Sequence, residues 1–333
     1  VVGGGPAGLS AALAAAEGGG EIILIDEGAE LGGSLGYARF DANGLQADKI
    51  RQELVNAVKA KPNIRVLSDA MCSGLFADNW LPVIKGNRLH KLRAKSVVIA
   101  TGVIEQPVVF RNNDLPGVMF ASAAQRLIRL YGVKPGNRAV VLAANDAAYG
   151  AALDALEVGI AVSAIVDLRA NPVATEMSRA VQRAGVEIIT GHAIKEAVAG
   201  TGKLGIRGAL AAPIVAEGQL GITTRSLECD LILMSVGCSP AAHLLHHAGA
   251  KFAYDHASNM YKPDVIPPHV FAAGSVNQVH ALGAVVVDGA RAGYRAAKDA
   301  GLSVGAEPPA PTSLGAEDIT HPWPIFPHEK GMD

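Results

Sequence analysis

Short apolar runs alternate with helical patterns along most of this chain of 333 residues. Runs of branched apolar residues predict buried strands within residues 22–25, 96–102, 138–142, 161–166, 230–237 and 270–275. Short strands around residues 64–67 and 81–84 predict a small hairpin layer. Ala-rich or amphipathic spacing predicts helices over residues 9–16, 45–59, 121–130, 148–158, 175–184 and 284–297. Residues 191–223 are glycine-rich and predict a hairpin region. Strands that alternate with helices build parallel sheets, so the predicted fold class is α/β.

The turn between the first strand and the first helix has the spacing G-x-G-x-x-G at Gly3, Gly5 and Gly8. This spacing indicates a dinucleotide-binding turn because it lies directly between a strand and a helix. Gly3 permits a tight turn, Gly5 lets the backbone approach a pyrophosphate, and Gly8 allows close packing of the helix on the strand. The N-terminus of the helix that follows offers free N–H groups and partial positive charge to that phosphate.

Two acidic residues end the next strand. Asp26 lies where a carboxylate accepts hydrogen bonds from an adenosine ribose. Glu27 adds a second negative charge, and together they repel the 2′-phosphate of NADP and favour NAD. Gly33 and Ser34 follow, and small residues there let the backbone pass close to a bound nucleotide.

Small residues also end two later strands, at residues 100–102 and 272–275, where the backbone can touch a ligand or a helix N-terminus. We also include two residues of the hairpin layer, Met71 and Cys72. The complete predicted set of cofactor-binding residues is Gly3, Gly5, Pro6, Ala7, Gly8, Asp26, Glu27, Gly33, Ser34, Met71, Cys72, Ala100, Thr101, Gly102, Gly274 and Ser275.

The strand–turn–helix–strand layout recurs from Arg138, but its turn at residues 143–148 contains no glycine. The Cβ atoms of Ala144 and Ala147 crowd the path of a pyrophosphate, and Asp146 places negative charge near it. We therefore expect this second unit to be a scaffold and not a second nucleotide site.

Composition excludes several classes of function. The net charge of −2 gives no indication of a nucleic acid or an anionic membrane as partner. No apolar run approaches the roughly 20 residues of a membrane-spanning helix. The three cysteines, Cys72, Cys229 and Cys238, form neither C-x-x-C nor a metal-ligand pattern. We expect reduced thiols and a cytoplasmic location.

Histidines give the other candidate chemistry. His243, His246 and His247 share one helix face at metal-ligand spacing, but no acidic residue lies within that segment. A solvated helix face is the favoured interpretation, and no metal site is predicted. His280 is interpreted as a structural histidine. No Ser-His-Asp pattern is present, so the sequence names no catalytic residue.

The order of these landmarks resembles the two-dinucleotide-binding-domain flavoproteins of the glutathione-reductase-like group. Residues 105–110, 112–119, 131–136 and 145–149, with Trp323-Pro324, are similar to the α subunit of heterotetrameric sarcosine oxidases and to N-methylglutamate dehydrogenase large subunits. The resemblance implies two Rossmann-like three-layer domains, the second inserted in the first. The expected domains are residues 1–113 with 243–306, residues 114–242, and a linker over residues 307–333 toward a C-terminal domain.

The resemblance also implies a function. Members of this family oxidise N-methyl amino acids as heterotetramers. Their amine-oxidising FAD belongs to the β subunit, their FMN lies at the subunit interface, and the α-subunit region similar to this chain holds NAD. We expect the chain to be a segment of a longer polypeptide, the NAD-binding part of an oxidoreductase whose partners are other small subunits and a β subunit.

One departure from the glutathione-reductase-like group bears on the cofactor. FAD-binding members place Asp after the Ala-Gly that corresponds to Ala273-Gly274, and this chain has Ser275 there. This favours NAD, but Ser275 can still bond a ribityl hydroxyl, so FAD stays open. Two alternatives also remain: a self-contained FAD-dependent NAD(P)H oxidoreductase, and a scaffold with a structural nucleotide.

Overall fold

The computed structural model describes residues 1–312, 315 and 319–328. In these residues the helices are α1 Pro6–Ala16, α2 Gln46–Lys59, α3 Ala121–Tyr131, α4 Ala147–Glu157, α5 Glu176–Arg183, α6 His243–His247 and α7 Leu282–Asp299. The strands are β1 Ile22–Ile25, β2 Ile64–Leu67, β3 Ala70–Cys72, β4 Trp80–Lys85, β5 Arg88–Arg93, β6 Val97–Ile99, β7 Val103–Glu105, β8 Val118–Phe120, β9 Arg138–Ala143, β10 Ala161–Asp167, β11 Ile188–Thr190, β12 His192–Ala199, β13 Ile206–Ala216, β14 Gln219–Leu220, β15 Arg225–Glu228, β16 Leu231–Ser235, β17 Cys238–Pro240, β18 Lys251–Asp255, β19 Met260–Val265 and β20 Val270–Ala272.

The alternation of strands and helices predicted from the sequence is present, and the α/β fold class is confirmed. The structure differs in two places. Residues 64–67, expected in the hairpin layer, form β2 and pair in parallel with β1, whereas the hairpin layer consists of β3, β4 and β5. Strands β18 and β19 form a hairpin that the apolar pattern of the sequence does not predict. The predicted hairpin region of residues 191–223 is present as the antiparallel strands β12, β13 and β14, and β15 pairs with β13 beyond it. Glycine in this region marks bulges and turns, and pairing along the strands overrides its poor strand propensity.

Contacts divide the chain into two compact units. Unit 1 comprises Val1–Gly36, Ala47–Ile104 and Ser239–Glu317, and unit 2 comprises Tyr37–Gln46, Glu105–Cys238 and Asp318–Asp333. The domain boundaries given from the sequence stay a prediction. Residues 313–314, 316–318 and 329–333 of the predicted linker lie outside the described residues.

Unit 1 is built on a parallel sheet whose centre is a single residue. Val2 bridges Ile25 on one side and Ile99 on the other, both in parallel orientation. Strand β1 pairs with β2, and β6 pairs with β20, again parallel. The resulting order is β2, β1, Val2, β6 and β20. The segment that leaves Val2 therefore emerges at the carboxyl edge of the sheet, where α/β proteins place their ligands.

Helices α1 and α7 of unit 1 pack backbone against backbone. A Cβ atom at Gly289 would lie 2.2 Å from the carbonyl oxygen of Ala7, and one at Gly293 would lie 2.1 Å from that of Ala11. These two glycines are one helical turn apart, so they form a continuous seam against α1. The seam fixes the start of α1 relative to the rest of unit 1.

Unit 2 contains a second parallel sheet with the strand order β11, β10, β9, β16 and β8. Strands β12, β13 and β15 form an antiparallel sheet whose apolar residues share a core cluster with it. Within unit 2, the carboxylate of Asp154 is 1% exposed and accepts hydrogen bonds from Arg39, Arg129 and Gln125 at 2.6 to 2.8 Å. These bonds tie residues 37–46 to α3 and α4.

The α1–α7 seam makes a testable prediction. Gly293→Ala places a methyl group against the Ala11 carbonyl, so we expect it to lower the free energy of unfolding by about 2 kcal/mol or more. This loss exceeds the gain of about 1 kcal/mol that alanine brings to an exposed helix site. Gly283→Ala, on the same helix with no atom within 4 Å of its Cβ, is the control. Equal unfolding midpoints in urea for the two variants would contradict the close packing of α7 on α1 at Gly293.

Candidate functional site

Two glycines of the first turn are required by the packing of the chain itself. Gly3 has φ +103°, and a Cβ there would lie 2.2 Å from the carbonyl oxygen of Ala100. A Cβ at Gly8 would lie 1.7 Å from the carbonyl oxygen of Gly3. Substitution at either position displaces backbone, so these glycines bring the start of α1 onto the end of the central strand.

Gly5 differs from these two. Its φ of −74° and ψ of −174° are open to any residue, and the nearest atom to a Cβ at Gly5 would be the Cα of Gly33 at 4.0 Å. It is the N-cap of α1 and makes no side-chain capping bond, and the helix starts at Pro6. Open space therefore lies beside a helix N-terminus, where backbone N–H groups and the helix dipole favour an anion.

Asp26 lies at the end of β1, beside this turn. Its carboxylate accepts hydrogen bonds from the backbone N–H groups of Gly4 and Gly28, the latter at 2.8 Å. The side chain is half-buried, and its neighbour Glu27 is exposed. A carboxylate has about four acceptor positions. Two of them hold the turn in place, and the others are available for a ribose hydroxyl.

The loop after Asp26 closes onto the same turn. The Gly32 amide donates to the Gly4 carbonyl at 2.9 Å. Gly33 has φ +53°, and a Cβ there would lie 2.9 Å from the Cα of Gly5. Ser34 follows in a short 3₁₀ turn, Gly33–Gly36. The backbone of Gly33 and Ser34 therefore borders the open space beside Gly5.

The residues that follow β6 lie against the turn of residues 3–8. Ala100 is buried, and its amide donates to the carbonyl of Val2 at 2.8 Å. The Thr101 hydroxyl donates to the carbonyl of Ala241 at 2.7 Å, and the Ala241 amide donates to the carbonyl of Gly102 at 3.0 Å. The side chain of Thr101 is thus engaged within unit 1.

The last predicted pair, Gly274-Ser275, also lies against α1. Gly274 has φ +73°, and a Cβ there would lie 2.7 Å from the Cβ of Ala7. Its amide donates to the carboxylate of Asp288 at 2.8 Å, and the Asn277 amide group contacts the same oxygen at 3.3 Å. Burial raises the pKa of Asp288. The sequence pattern does not indicate Asp288, because its role depends on α7 folding back toward Gly274.

Met71 and Cys72 lie on β3, which contacts the end of β1 at Asp26. The amide of Ala70, the first residue of β3, donates a hydrogen bond to the Asp26 carbonyl at 2.9 Å. Met71 is 50% exposed. The Cys72 thiol contacts the Gly74 carbonyl at 3.4 Å, and burial raises its pKa. The contact of this strand with Asp26 is thus made by Ala70, and the binding roles of Met71 and Cys72 stay a prediction.

The structure thus places most of the predicted set around one helix start. Five backbone segments meet there, at residues 3–8, 26–28, 32–34, 100–102 and 274–275. Their roles in binding stay a prediction.

The histidines do not form a metal site in the described part of the chain, where no group of three or more His, Cys, Asp or Glu side chains is close enough to hold an ion. The ring of His246 stacks on Phe252 with centroids 4.1 Å apart, and that of His247 lies 6.0 Å from Phe76. Burial lowers the pKa of His280 to about 4, so this imidazole is neutral at pH 7.

Over the described ranges, no helix has the length and apolar character needed to span a bilayer.

The corresponding turn of unit 2 has a different chemistry. Asp167, at the end of β10, has no exposed surface. Its carboxylate accepts hydrogen bonds from the Tyr149 hydroxyl at 2.6 Å, and from the Arg169 guanidinium at 2.8 and 3.0 Å and its backbone N–H at 2.9 Å. Arg169 also pairs with Asp146, the N-cap of α4. With four donors, Asp167 has no acceptor position left for a ribose.

Comparison with known proteins connects these features to a family. The alpha subunit of sarcosine oxidase from Corynebacterium sp. (strain P-1) is 32% identical over 97% of this chain and 34% of its own length. That from Corynebacterium sp. (strain U-96) is 28% identical over 100% of this chain and 36% of its own length. The corresponding protein of Rhizobium meliloti (strain 1021) is 32% identical over 75% of this chain and 25% of its own length.

Solved structures share the fold. The L-proline dehydrogenase from P. horikoshii superposes with a TM-score of 0.69 at 22% identity, covering 91% of this chain and 55% of that one. The T. acidophilum thioredoxin reductase superposes with a TM-score of 0.66 at 18% identity, covering 90% and 95%. The glutathione-reductase-like fold predicted from the sequence is confirmed.

The chain spans only about one third of the length of the sarcosine oxidase relatives with the most extensive matches. The predicted resemblance to their α subunits is nevertheless confirmed, because those matches extend over nearly all of this chain. A family model described as pyridine nucleotide-disulphide oxidoreductase matches residues 1–301. The chain therefore belongs to the pyridine nucleotide-disulphide oxidoreductase family.

Proposed function

We propose that unit 1 binds one NAD at the turn of residues 3–8 and that the chain is the NAD-binding segment of an α subunit in a sarcosine-oxidase-like oxidoreductase. The observation that carries this proposal is Gly5. The packing of the chain explains Gly3 and Gly8, but at position 5 the nearest neighbour leaves ordinary van der Waals room for a side chain. The packing of the chain does not require a glycine at position 5. A glycine at the start of a helix therefore favours a ligand that occupies the space of its missing side chain.

The residues present fit a dinucleotide. The first amides of α1 would hold the pyrophosphate, and Asp26 would accept hydrogen bonds from the adenosine ribose. Gly33-Ser34 and Gly274-Ser275 would border the rest of the molecule. NAD, when bound, supplies a two-electron hydride acceptor. The chain itself supplies position and charge, and none of the residues at the turn is assigned a role in proton transfer.

Charge at the ribose end favours NAD over NADP. Asp26 is half-buried and its neighbour Glu27 is exposed beside it. A 2′-phosphate would face two carboxylates with no arginine in the predicted cofactor-binding set to accommodate it. Ser275 favours NAD over FAD, because a serine hydroxyl holds a ribityl chain less strongly than a carboxylate does.

The larger assembly is inferred from the relatives. Those that match 75% or more of this chain at 28 to 32% identity are named as alpha subunits of sarcosine oxidase. We infer that this chain works with a β subunit carrying FAD and with other small subunits, with an FMN at the interface. The substrate class would be an N-methyl amino acid, oxidised on the partner's flavin and not at the turn described above.

Gly5→Ala tests the nucleotide site directly. The added methyl group occupies the approach of the pyrophosphate, so we expect NAD affinity to fall about tenfold or more. Folding should change little, by less than about 1 kcal/mol, because the backbone of Gly5 suits alanine. Calorimetric titration with NAD and urea unfolding measure the two quantities. Gly3→Ala is the contrasting control, because it should destabilise the fold. Wild-type affinity in a folded Gly5→Ala chain would refute the site.

Asp26→Ala tests the ribose contact. We expect NAD affinity to fall by about ten- to a hundredfold, since a charged hydrogen bond to a ligand is lost. Glu27→Ala removes an equal charge one residue away and should change NAD affinity by less than about threefold. Asp26→Asn keeps one side-chain oxygen as acceptor for the Gly4 or Gly28 amide but removes the negative charge. Comparing it with Asp26→Ala distinguishes loss of support for the turn from loss of the contact with the ribose. If Asp26→Ala and Glu27→Ala bind NAD equally well, Asp26 does not contact the ligand.

A further inference from the structure

A segment near the end of the chain, residues 319–326, lies across the strand ends of unit 2. The carbonyl of Ile319 accepts a hydrogen bond from the side-chain amide of Asn145 at 2.8 Å. The amide of His321 donates to the carbonyl of Val236 at 2.9 Å. Asn145 follows β9 and Val236 follows β16, so the segment bridges the carboxyl ends of two neighbouring parallel strands.

Thr320 makes the tightest contact of this segment. It is 4% exposed, and its hydroxyl accepts from the Cys238 amide at 3.1 Å and contacts the Cys238 carbonyl at 3.2 Å. A Cβ atom at Gly237 would lie 2.7 Å from the Thr320 methyl carbon. Position 237 therefore requires a glycine because the segment passes over it.

The segment is anchored in the core of unit 2. Phe326 is 1% exposed and belongs to an apolar cluster of that unit. Val109 donates to the carbonyl of Pro324 and accepts from the amide of Phe326, both at 2.8 Å, so Ile325 forms a parallel bridge with Val109. Burial of a phenylalanine side chain contributes about 2 kcal/mol or more, so the anchored position is the stable one.

The place that this segment covers is the one where such a sheet binds ligands. The chain passes from β9 to β10 on one side, whereas β16 pairs on the other side of β9. Ligands of open α/β sheets lie outside the carboxyl ends of the strands at this change of direction. The contacts of Ile319, Thr320 and His321 fall on the residues that follow β9 and β16.

We propose that residues 319–326 act as an internal ligand that fills the dinucleotide crevice of unit 2, so that unit 2 binds no nucleotide. The saturated carboxylate of Asp167 at the neighbouring strand end agrees with this assignment. The proposal concerns a different unit from the NAD site and stands or fails independently of it. The segment adds a third reason to the missing glycines and the charge of Asp146, from which the sequence predicts a scaffold.

Cys238 provides a native reporter of the segment. Its thiol is buried, with a pKa raised to about 12 by that burial, and Thr320 contacts it. In the full chain, we expect Cys238 to react slowly with iodoacetamide. Phe326→Ala releases the anchor and should raise that rate roughly tenfold or more. The matched control, Ile325→Ala, removes an exposed side chain from the same segment and should leave the rate unchanged, and Cys72 is the internal reference. Peptide mass spectrometry follows each cysteine.

The alternative outcomes are distinct. Equal labelling of Cys238 in the wild type and in a folded Phe326→Ala chain would overturn the internal-ligand proposal. If Phe326→Ala unfolds unit 2, Thr320→Ala becomes the test, because it uncovers Cys238 without emptying the core. Thr320→Ala should then raise the labelling rate, and an unchanged rate would overturn the proposal.

Hydrogen exchange reports on nucleotide binding to each unit separately. Added NAD or NADPH should leave the amides of residues 143–148 unchanged in the wild-type chain. Protection of those amides by either nucleotide, or faster labelling of Cys238 in its presence, would mean that the segment gives way to a nucleotide and would overturn the proposal. Protection of residues 3–8 reports only on the NAD site. Its absence would count against the proposed function while leaving the internal ligand intact.

Discussion

The structure of unit 1 depends on close approach of backbone to backbone. The carbonyl of Gly3 occupies the place of a side chain at Gly8, and the carbonyls of Ala7 and Ala11 occupy those of side chains at Gly289 and Gly293. These contacts seat the start of α1 on the carboxyl end of the central strand and hold α7 beside it. The helix dipole and the free amides of α1 then point to one place. The proposed binding site depends on glycine because only glycine permits this packing.

The two units show how the same layout leads to different chemistry. In unit 1, the strand-end carboxylate of Asp26 supports the turn with two bonds and keeps acceptor capacity. In unit 2, the equivalent Asp167 is fully buried and saturated by Tyr149 and Arg169. In unit 2, the segment of residues 319–326 also contacts the strand ends, because the Ile319 carbonyl accepts a hydrogen bond from Asn145, which follows β9. These contacts favour a single nucleotide site in a two-unit chain.

The sequence predicted the fold well where the signal is local. Apolar periodicity placed most strands and helices of both parallel sheets, and the glycine spacing located the turn at residues 3–8. Asp288 and residues 319–326 could not be found in this way, because their roles arise from contacts between positions far apart in the chain. The sequence motif alone assigned Gly5 to the pyrophosphate and Gly3 and Gly8 to the turn and its packing, without showing the atoms around each glycine. Only the surroundings of each Cβ position show which glycine the chain does not need for itself.

The most direct test of the central claim is the identity and amount of nucleotide that the purified full chain holds. The protein is denatured, and the released small molecules are identified by absorption and mass spectrometry. The account predicts one NAD per chain and no absorption bands of a flavin from this chain alone. Release of FAD in a stoichiometric amount would contradict the assignment of NAD to the turn at residues 3–8. Release of two nucleotides per chain would contradict the single site.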